Sequence, residues 1–209
     1  MDKFSAAVVA GGLNSRMGGT NKAFLKVGNK TILSRLITTL ERYFDEILIV
    51  TKNPPEYSDY LSATGDKIKT VTDIYGDRSS LTGIHSALYH AKNFRSFIVP
   101  CDAPFIQPSL IELILGSIDS NPESDVVIPN YDGHYEPLCA LYSKHCLPKI
   151  EALLNSKDYR IYNFFNAVNL TTIDKDRLQK ADPKMLSFFN VNTKEALKAA
   201  LIQSDQLLL

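Results

Sequence analysis

Along the chain, short continuous apolar runs alternate with stretches in which apolar residues recur every third or fourth position. The runs are "FSAAVVA" (4–10), "EILIVT" (46–51), "IKTVT" (68–72), "SFIVP" (96–100), "DVVIP" (125–129) and "PLCALY" (137–142). Several are unbroken in Val and Ile, the pattern of strands buried on both faces. The stretches between them read as amphipathic helices. Residues 31–44 set Ile32, Leu33, Leu36, Ile37 and Leu40 on one stripe, and residues 82–93 do the same with Ile84, Ala87, Leu88 and Ala91. Pro108 ahead of "SLIELILGSI" suits a helix with proline in its first turn. Residues 192–202 open with Asn192 and Glu195 at capping-box spacing. Strands alternating with helices predict a three-layer α/β fold with a mostly parallel sheet, in a single domain over residues 1–209. Ligands of such sheets sit beyond the carboxyl ends of the strands, so the loops that follow strands are where chemistry is expected.

Charge narrows the ligand question. Acidic and basic residues balance at 23 each, so no global field draws the chain to nucleic acid or to an anionic membrane, and a phosphate ligand must be met by a local site. An apolar content of 44% over 209 residues supports a sizeable core and argues against disorder. No run approaches the ~20 apolar residues of a membrane span. The opening "MDKFSAAVVAGG" carries an acid at position 2 and reads as a buried strand, not a signal peptide. Cys101, Cys139 and Cys146 are an odd number without a CxxC, which points to reduced thiols and a cytoplasmic location.

The loop after the first run, "VVAGGLNSRMGGTNKAFLKVG" (8–28), is where phosphate chemistry is expected. Gly11 and Gly12 let the backbone come close to a ligand, and successive N–H groups there form an anion-binding concavity. Arg16 offers a bidentate fork and Lys22 a point charge. The loop is neither a dinucleotide fingerprint, which needs GxGxxG, nor a Walker A loop, because Lys22 is followed by Ala23 rather than a hydroxyl. A metal, if used, takes its ligand from elsewhere in the chain. "FIVPCDAPFIQP" (97–108) delivers Asp102 to the end of a buried strand. A carboxylate there serves either a Mg²⁺–nucleotide site or the cap of the following helix, and the neighbouring glycine loop favours the metal. Asp73, at the end of another strand, either meets a base, a ribose or a second charge, or closes an Asx turn.

Four segments taken together resemble one family. "VVAGGLNSRMGGTNKAFLKVGNKTIL", "VPCDAPFIQPSLI", "EPLCALYSK" (136–144) and "FFNVNTKEAL" (188–197) are similar, in order, to motifs of the molybdenum cofactor guanylyltransferases, the MobA-type enzymes. The resemblance implies a Rossmann-like nucleotidyltransferase fold of the GT-A-like kind. It implies transfer of GMP from Mg²⁺–GTP to the terminal phosphate of molybdopterin (or Mo-molybdopterin), with GTP handled by the N-terminal half and the pterin by the C-terminal half. It also implies cytoplasmic partners: a molybdenum-insertion protein, an accessory GTP-binding protein and molybdoenzyme chaperones. Carried over by position, Val9, Ala10, Gly11 and Gly12 line the nucleotide site, and Arg16 and Lys22 contact the triphosphate. Asp73 contacts the nucleotide, Asp102 holds the metal, and Asn190 and Asn192 stand on the pterin side. Thr51, carried over as a nucleotide-binding residue, replaces an Asn common in the family and offers the base a shorter donor set, and Lys194 stands where Pro is usual in "NTKEAL".

Gly12 stands where the related cytidylyltransferases usually have Ala, which leaves room for a larger base and favours guanine, although one methyl rarely discriminates fully. In the second half, "SKDYRIYNFFNAV" (156–168) mixes Arg160 with aromatics. Arg160 is the better candidate for an anionic ligand there, whereas Tyr162, Phe164 and Phe165 read first as packing residues. The competing functions are a molybdopterin cytidylyltransferase, a nucleotidyltransferase for another acceptor, and a non-catalytic GTP-binding partner.

Overall fold

The computed structural model describes residues 3–11 and 21–206. Gly12 and Arg16 therefore lie outside the described residues. In chain order the strands are β1 (Phe4–Val9), β2 (Lys26–Val27), β3 (Lys30–Thr31), β4 (Ile47–Val50), β5 (Ile68–Val71), β6 (Arg95–Pro100), β7 (Val126–Tyr131), β8 (His134–Tyr135), β9 (Ala140–Ser143) and β10 (Leu170–Ile173). The helices are α1 (Ile32–Leu40), α2 (Ser58–Ser62), α3 (Ser80–His90), α4 (Pro108–Ser120), α5 (Leu147–Asn155), α6 (Lys175–Ala181) and α7 (Lys194–Gln206). The main sheet runs β10-β7-β9-β6-β1-β4-β5, with β8 paired to β7. β1, β4, β5 and β6 pair in parallel, as do β7 and β10; β9 runs against both its neighbours, β6 and β7.

The period of two along each strand splits the core in two. On one face Ala6, Val8, Ile47, Ile49, Phe97 and Val99 pack with Leu33 and Leu36 of α1, Ile111 and Ile114 of α4, Leu178 of α6 and Ala200 of α7. On the other, Ala7, Leu48, Val50, Ile98 and Tyr142 pack with Leu81, Ile84 and Leu88 of α3 and Ile150 and Leu154 of α5. The result is the three-layer α/β architecture with a mostly parallel sheet that the apolar pattern predicts.

Two of the boundaries that differ from the sequence reading bear on the site. The strand expected over 137–142 begins at Ala140, because Pro137 lacks an N–H and the Cys139 N–H closes a turn onto the Glu136 carbonyl (2.9 Å). The last helix is capped by Thr193, whose Oγ1 accepts from the Ala196 N–H at 3.1 Å, and not by Asn192. That displacement by one residue frees the Asn192 amide for other work.

Candidate active site

Strand register builds the site. Val9 pairs with Val50 on one side and Pro100 on the other, and Val50 pairs with Val71. Beyond this row, ladder bonds continue from Ala10 N–H to the Val50 carbonyl, Thr51 N–H to the Val71 carbonyl and Cys101 N–H to the Val9 carbonyl. The residues two places past the row are Gly11, Lys52, Asp73 and Asp102. The parallel pairing thus brings four loop residues to one carboxyl edge. Because β9 runs backwards, its leading residues, Glu136 to Cys139, arrive at the same edge.

Lys22 is delivered by a short turn after the glycine loop. Asn21 caps the 3₁₀ turn Lys22–Phe24 by accepting from the Ala23 N–H (3.1 Å), and donates its amide N–H groups to Glu56 (2.7 Å) and the Tyr57 hydroxyl (3.0 Å). Ala23 is fully buried, which pins the turn. The Lys22 ammonium then reaches Asp102 Oδ2 at 3.1 Å and also donates to Asn192 Oδ1. The two charged side chains are only 13% and 15% exposed, so the pair is poorly screened. Asp102 does not cap α4, whose N-cap is Gln107. Its carbonyl instead accepts from the Val191 N–H (2.8 Å), which docks the 190–192 segment on the end of β6.

Two cavities of about 320 Å³ and 350 Å³ meet along Ser80, Pro100, Asp102 and Leu138. The first is lined further by Val9, Gly11, Lys22, Asp73, Arg78 and Gly83. The second takes in Glu136, Tyr162, Phe188, Asn190 and Asn192. A third, of about 230 Å³, lies on the far side of Gly11 and is lined by Ala10, Thr51, Asn53 and Arg78 among others. Thr51 is buried, and its Oγ1 accepts from the Asn53 N–H (3.1 Å).

Asp73 is the unsettled group of the first cavity. Its side chain is 7% exposed and Oδ1 has no hydrogen-bond partner among the described residues. Burial raises its pKa, opposed by Lys52, whose ammonium stands 4.0 Å away, by a Ser86 hydrogen bond and by His85. In the second cavity the Asn190 Oδ1 is likewise buried without a partner among the described residues. Burying a polar atom unpaired is costly, so both atoms are poised for a ligand group. The Cys101 thiol, beside Asp102, is pushed up to about 12 by burial and the adjacent carboxylate, which makes it a poor nucleophile.

Some expectations land elsewhere. Arg160 forks onto Asp158 with two 2.9 Å bonds and is not among the residues described as lining these cavities. Tyr162, read from sequence as packing, is half-exposed and lines the second cavity, whereas Phe164 and Phe165 are buried in the core. Arg78, Ser80 and Phe188 were not singled out by sequence reasoning. For Arg78 the available signal was a cation in the loop after a strand, just ahead of a helix cap.

Residues 6–171 match the model of the MobA-like NTP transferase domain. The chain is 37% identical over 200 residues to a protein of Desulfosudis oleivorans named molybdenum cofactor guanylyltransferase, covering 96% of this chain and 95% of that one. It is 37% identical over 195 residues to a probable molybdenum cofactor guanylyltransferase of Clostridium perfringens, covering 92% and 93% of the two chains. Among solved structures, the molybdopterin-guanine dinucleotide biosynthesis protein A of Archaeoglobus fulgidus superposes with a TM-score of 0.82 at 24% identity, over 97% of this chain and 99% of that one.

Proposed function

The chain belongs to the MobA-like NTP transferase family and is a nucleotidyltransferase, and on that premise we propose that it transfers GMP from Mg²⁺–GTP to the terminal phosphate of molybdopterin. The products are molybdopterin guanine dinucleotide and pyrophosphate. The observation that carries the reading is the place of Asp102, on the wall shared by two cavities and bonded through Lys22 to Asn192. One cavity is built on the glycine-loop strand and Asp73; the other on Glu136, Asn190 and the aromatic residues Tyr135, Tyr162 and Phe188. A two-substrate transfer needs such an arrangement, with the reacting atoms meeting at the shared wall. The names of the relatives supply guanine and the molybdenum cofactor as the two substrates.

In the reaction an oxygen of the acceptor phosphate forms a bond to the α-phosphorus. The bond from that phosphorus to the α–β bridging oxygen breaks, and its electron pair leaves with pyrophosphate. The nucleophile is already an anion, so the chain supplies no general base. Its task is to hold two anionic groups together, and charge placement does most of that. Lys22 offsets phosphate charge, and Gly11 lets the nucleotide approach the strand end. Arg16 and Gly12, outside the described residues, are assigned to the same work from the sequence. Asn190 and Asn192 meet the acceptor.

The donor set fits a hard cation. Among the described residues no three His, Cys, Asp or Glu side chains cluster as a ready cage. Asp102 alone faces the shared wall, and Mg²⁺ is commonly held by one or two carboxylates plus substrate phosphates. Bound there, Mg²⁺ supplies positive charge to the phosphate oxygens.

The test is to incubate the protein with molybdopterin and Mg²⁺, offer GTP, CTP, ATP and UTP separately, and weigh the products by mass spectrometry. A guanine dinucleotide from GTP alone is expected. A cytosine dinucleotide would keep the site and overturn the base; nucleotide binding without any product would move the function to another acceptor or to a non-catalytic partner.

A further inference from the structure

We propose that Arg78 is a nucleotide-binding residue that takes the α-phosphate, an inference that rests on the nucleotidyl-transfer reading above. Arg78 lines both the cavity that contains Asp73 and Asp102 and the cavity that contains Thr51 and Asn53. The two cavities share Gly11 and Arg78, so a nucleotide spanning both meets these two residues. What lies between a base in one cavity and β- and γ-phosphates in the other is the ribose and the α-phosphate. Of these two, only the phosphate matches the planar, two-pronged donor set of arginine.

The local charges leave Arg78 free for this. Lys22 is bound to Asp102 and Asn192. Lys52 spends its ammonium on the Gly76 carbonyl (2.6 Å) and the Asp77 carbonyl (3.2 Å), and stands 4.0 Å from Asp73. Asp77 is held in turn by the Tyr159 hydroxyl. Those contacts anchor the loop immediately before Arg78, yet Arg78 itself makes no hydrogen bond or ion pair among the described residues. An exposed cation on an anchored loop, at the mouth of a cavity with two carboxylates and one committed lysine, lacks an anion.

The adjoining backbone points the same way. Ser79 caps α3 by accepting from the Thr82 N–H at 3.0 Å, and Ser80 opens the helix on the shared wall of the two main cavities. The helix lies close because Gly83 has no side chain: a Cβ there would stand 2.6 Å from Val9 Cγ1. The unpartnered Asp73 Oδ1 is a second, independent sign of a ligand in the same cavity. An acceptor of hydrogen bonds, it suits a ribose hydroxyl next to the phosphate that Arg78 takes.

The experiment compares binding of guanosine, GMP and GTP to the wild-type chain, Arg78→Ala and Arg78→Lys by calorimetry, without acceptor. Arg78→Ala is expected to weaken GMP and GTP by the same factor, about tenfold as for loss of one charge-assisted pair, and to leave guanosine unchanged. Arg78→Lys should fall between, as a point charge replaces a fork. Loss of guanosine binding as well would overturn the assignment in favour of base stacking or loop damage. Loss for GTP without loss for GMP would place Arg78 on the outer phosphates and overturn it too, as would no loss at all. If the wild-type chain prefers CTP, the same series in cytidine nucleotides judges Arg78 while correcting the base. A wild-type chain that binds no nucleotide overturns the transfer reading and the role of Arg78 together.

Discussion

Lys22 occupies the carboxylate that a metal ion would need, and this gives a prediction with an unusual sign. The ammonium lies 3.1 Å from Asp102 Oδ2 with both side chains largely buried. At an effective dielectric near 20, Coulomb attraction over that distance is about 5 kcal/mol before solvation. Desolvation and side-chain ordering offset most of it, leaving about 1–3 kcal/mol of hydrogen-bonded charge pair. A divalent ion arriving without nucleotide must displace the ammonium and works against that amount. In Lys22→Met, which keeps the stem volume and removes the charge, the opposition disappears. Mn²⁺ alone should then bind about tenfold more tightly than to the wild-type chain, the equivalent of about 1.4 kcal/mol. Affinity for GTP should fall at the same time, because the phosphates lose a cation. Titration of free Mn²⁺ by electron paramagnetic resonance, with Asp102→Asn as the control that abolishes the site, reads the first effect directly. Mn²⁺ binding to Lys22→Met that is equal to or weaker than wild type would refute the competition and leave Lys22 as a simple phosphate ligand.

Asp102→Ala should lower Mg²⁺-dependent turnover by about 10²–10³, the usual cost of losing one electrostatic stabiliser, while GTP binding measured in EDTA largely survives; unchanged turnover would remove Asp102 from the chemistry. Asp73→Asn should raise the melting temperature at neutral pH. Burial raises the pKa of Asp73 in the folded chain, so its ionisation opposes folding above that pKa; the gain should shrink as pH falls through the raised pKa toward the ordinary carboxylate range near ~4, and a melting curve showing the opposite trend would sink the argument. Gly83→Ala should destabilise by about 1–3 kcal/mol, because its Cβ meets Val9 Cγ1 at 2.6 Å and a β-branched residue has few rotamers to retreat into. Denaturant melts of the double variant with Val9→Ala should recover most of that loss; purely additive effects would show that the clash is relieved elsewhere.

What the sequence discloses and what it hides follow from the range of the interactions. The apolar run of β4 and the Phe97–Val99 stretch of β6 identify buried parallel strands because burial on both faces leaves little that is polar along them. Asp73 and Asp102 are legible for the same reason: each stands two residues beyond the paired row of such a strand. Asn192 and Thr193 are both good capping residues, and local spacing alone points to the wrong one. The choice is made by Lys22, 170 positions earlier, which donates to the Asn192 side-chain Oδ1. Arg160 draws attention through its aromatic neighbours, but Asp158, two residues away, satisfies its guanidinium. Arg78 has only a weak local signature, a cation between a strand and a helix cap. Its position over two cavities depends on where α3 docks on β1, a contact set by the absence of a single methyl group at Gly83.

The reversed strand β9 has a consequence for the newly made chain. During synthesis β1, β4, β5 and β6 emerge first and can pair into a parallel half-sheet once residue 100 is out. Until β9 arrives between β6 and β7, some forty residues later, β6 presents an unpaired edge. Such an edge recruits other chains. Pro100 ends β6, and Asp102 and Pro104 follow it closely. A charge and two residues of restricted backbone thus guard the end of the exposed strand during that interval. The acid that faces both cavities in the finished enzyme is also, in the nascent one, a safeguard against association.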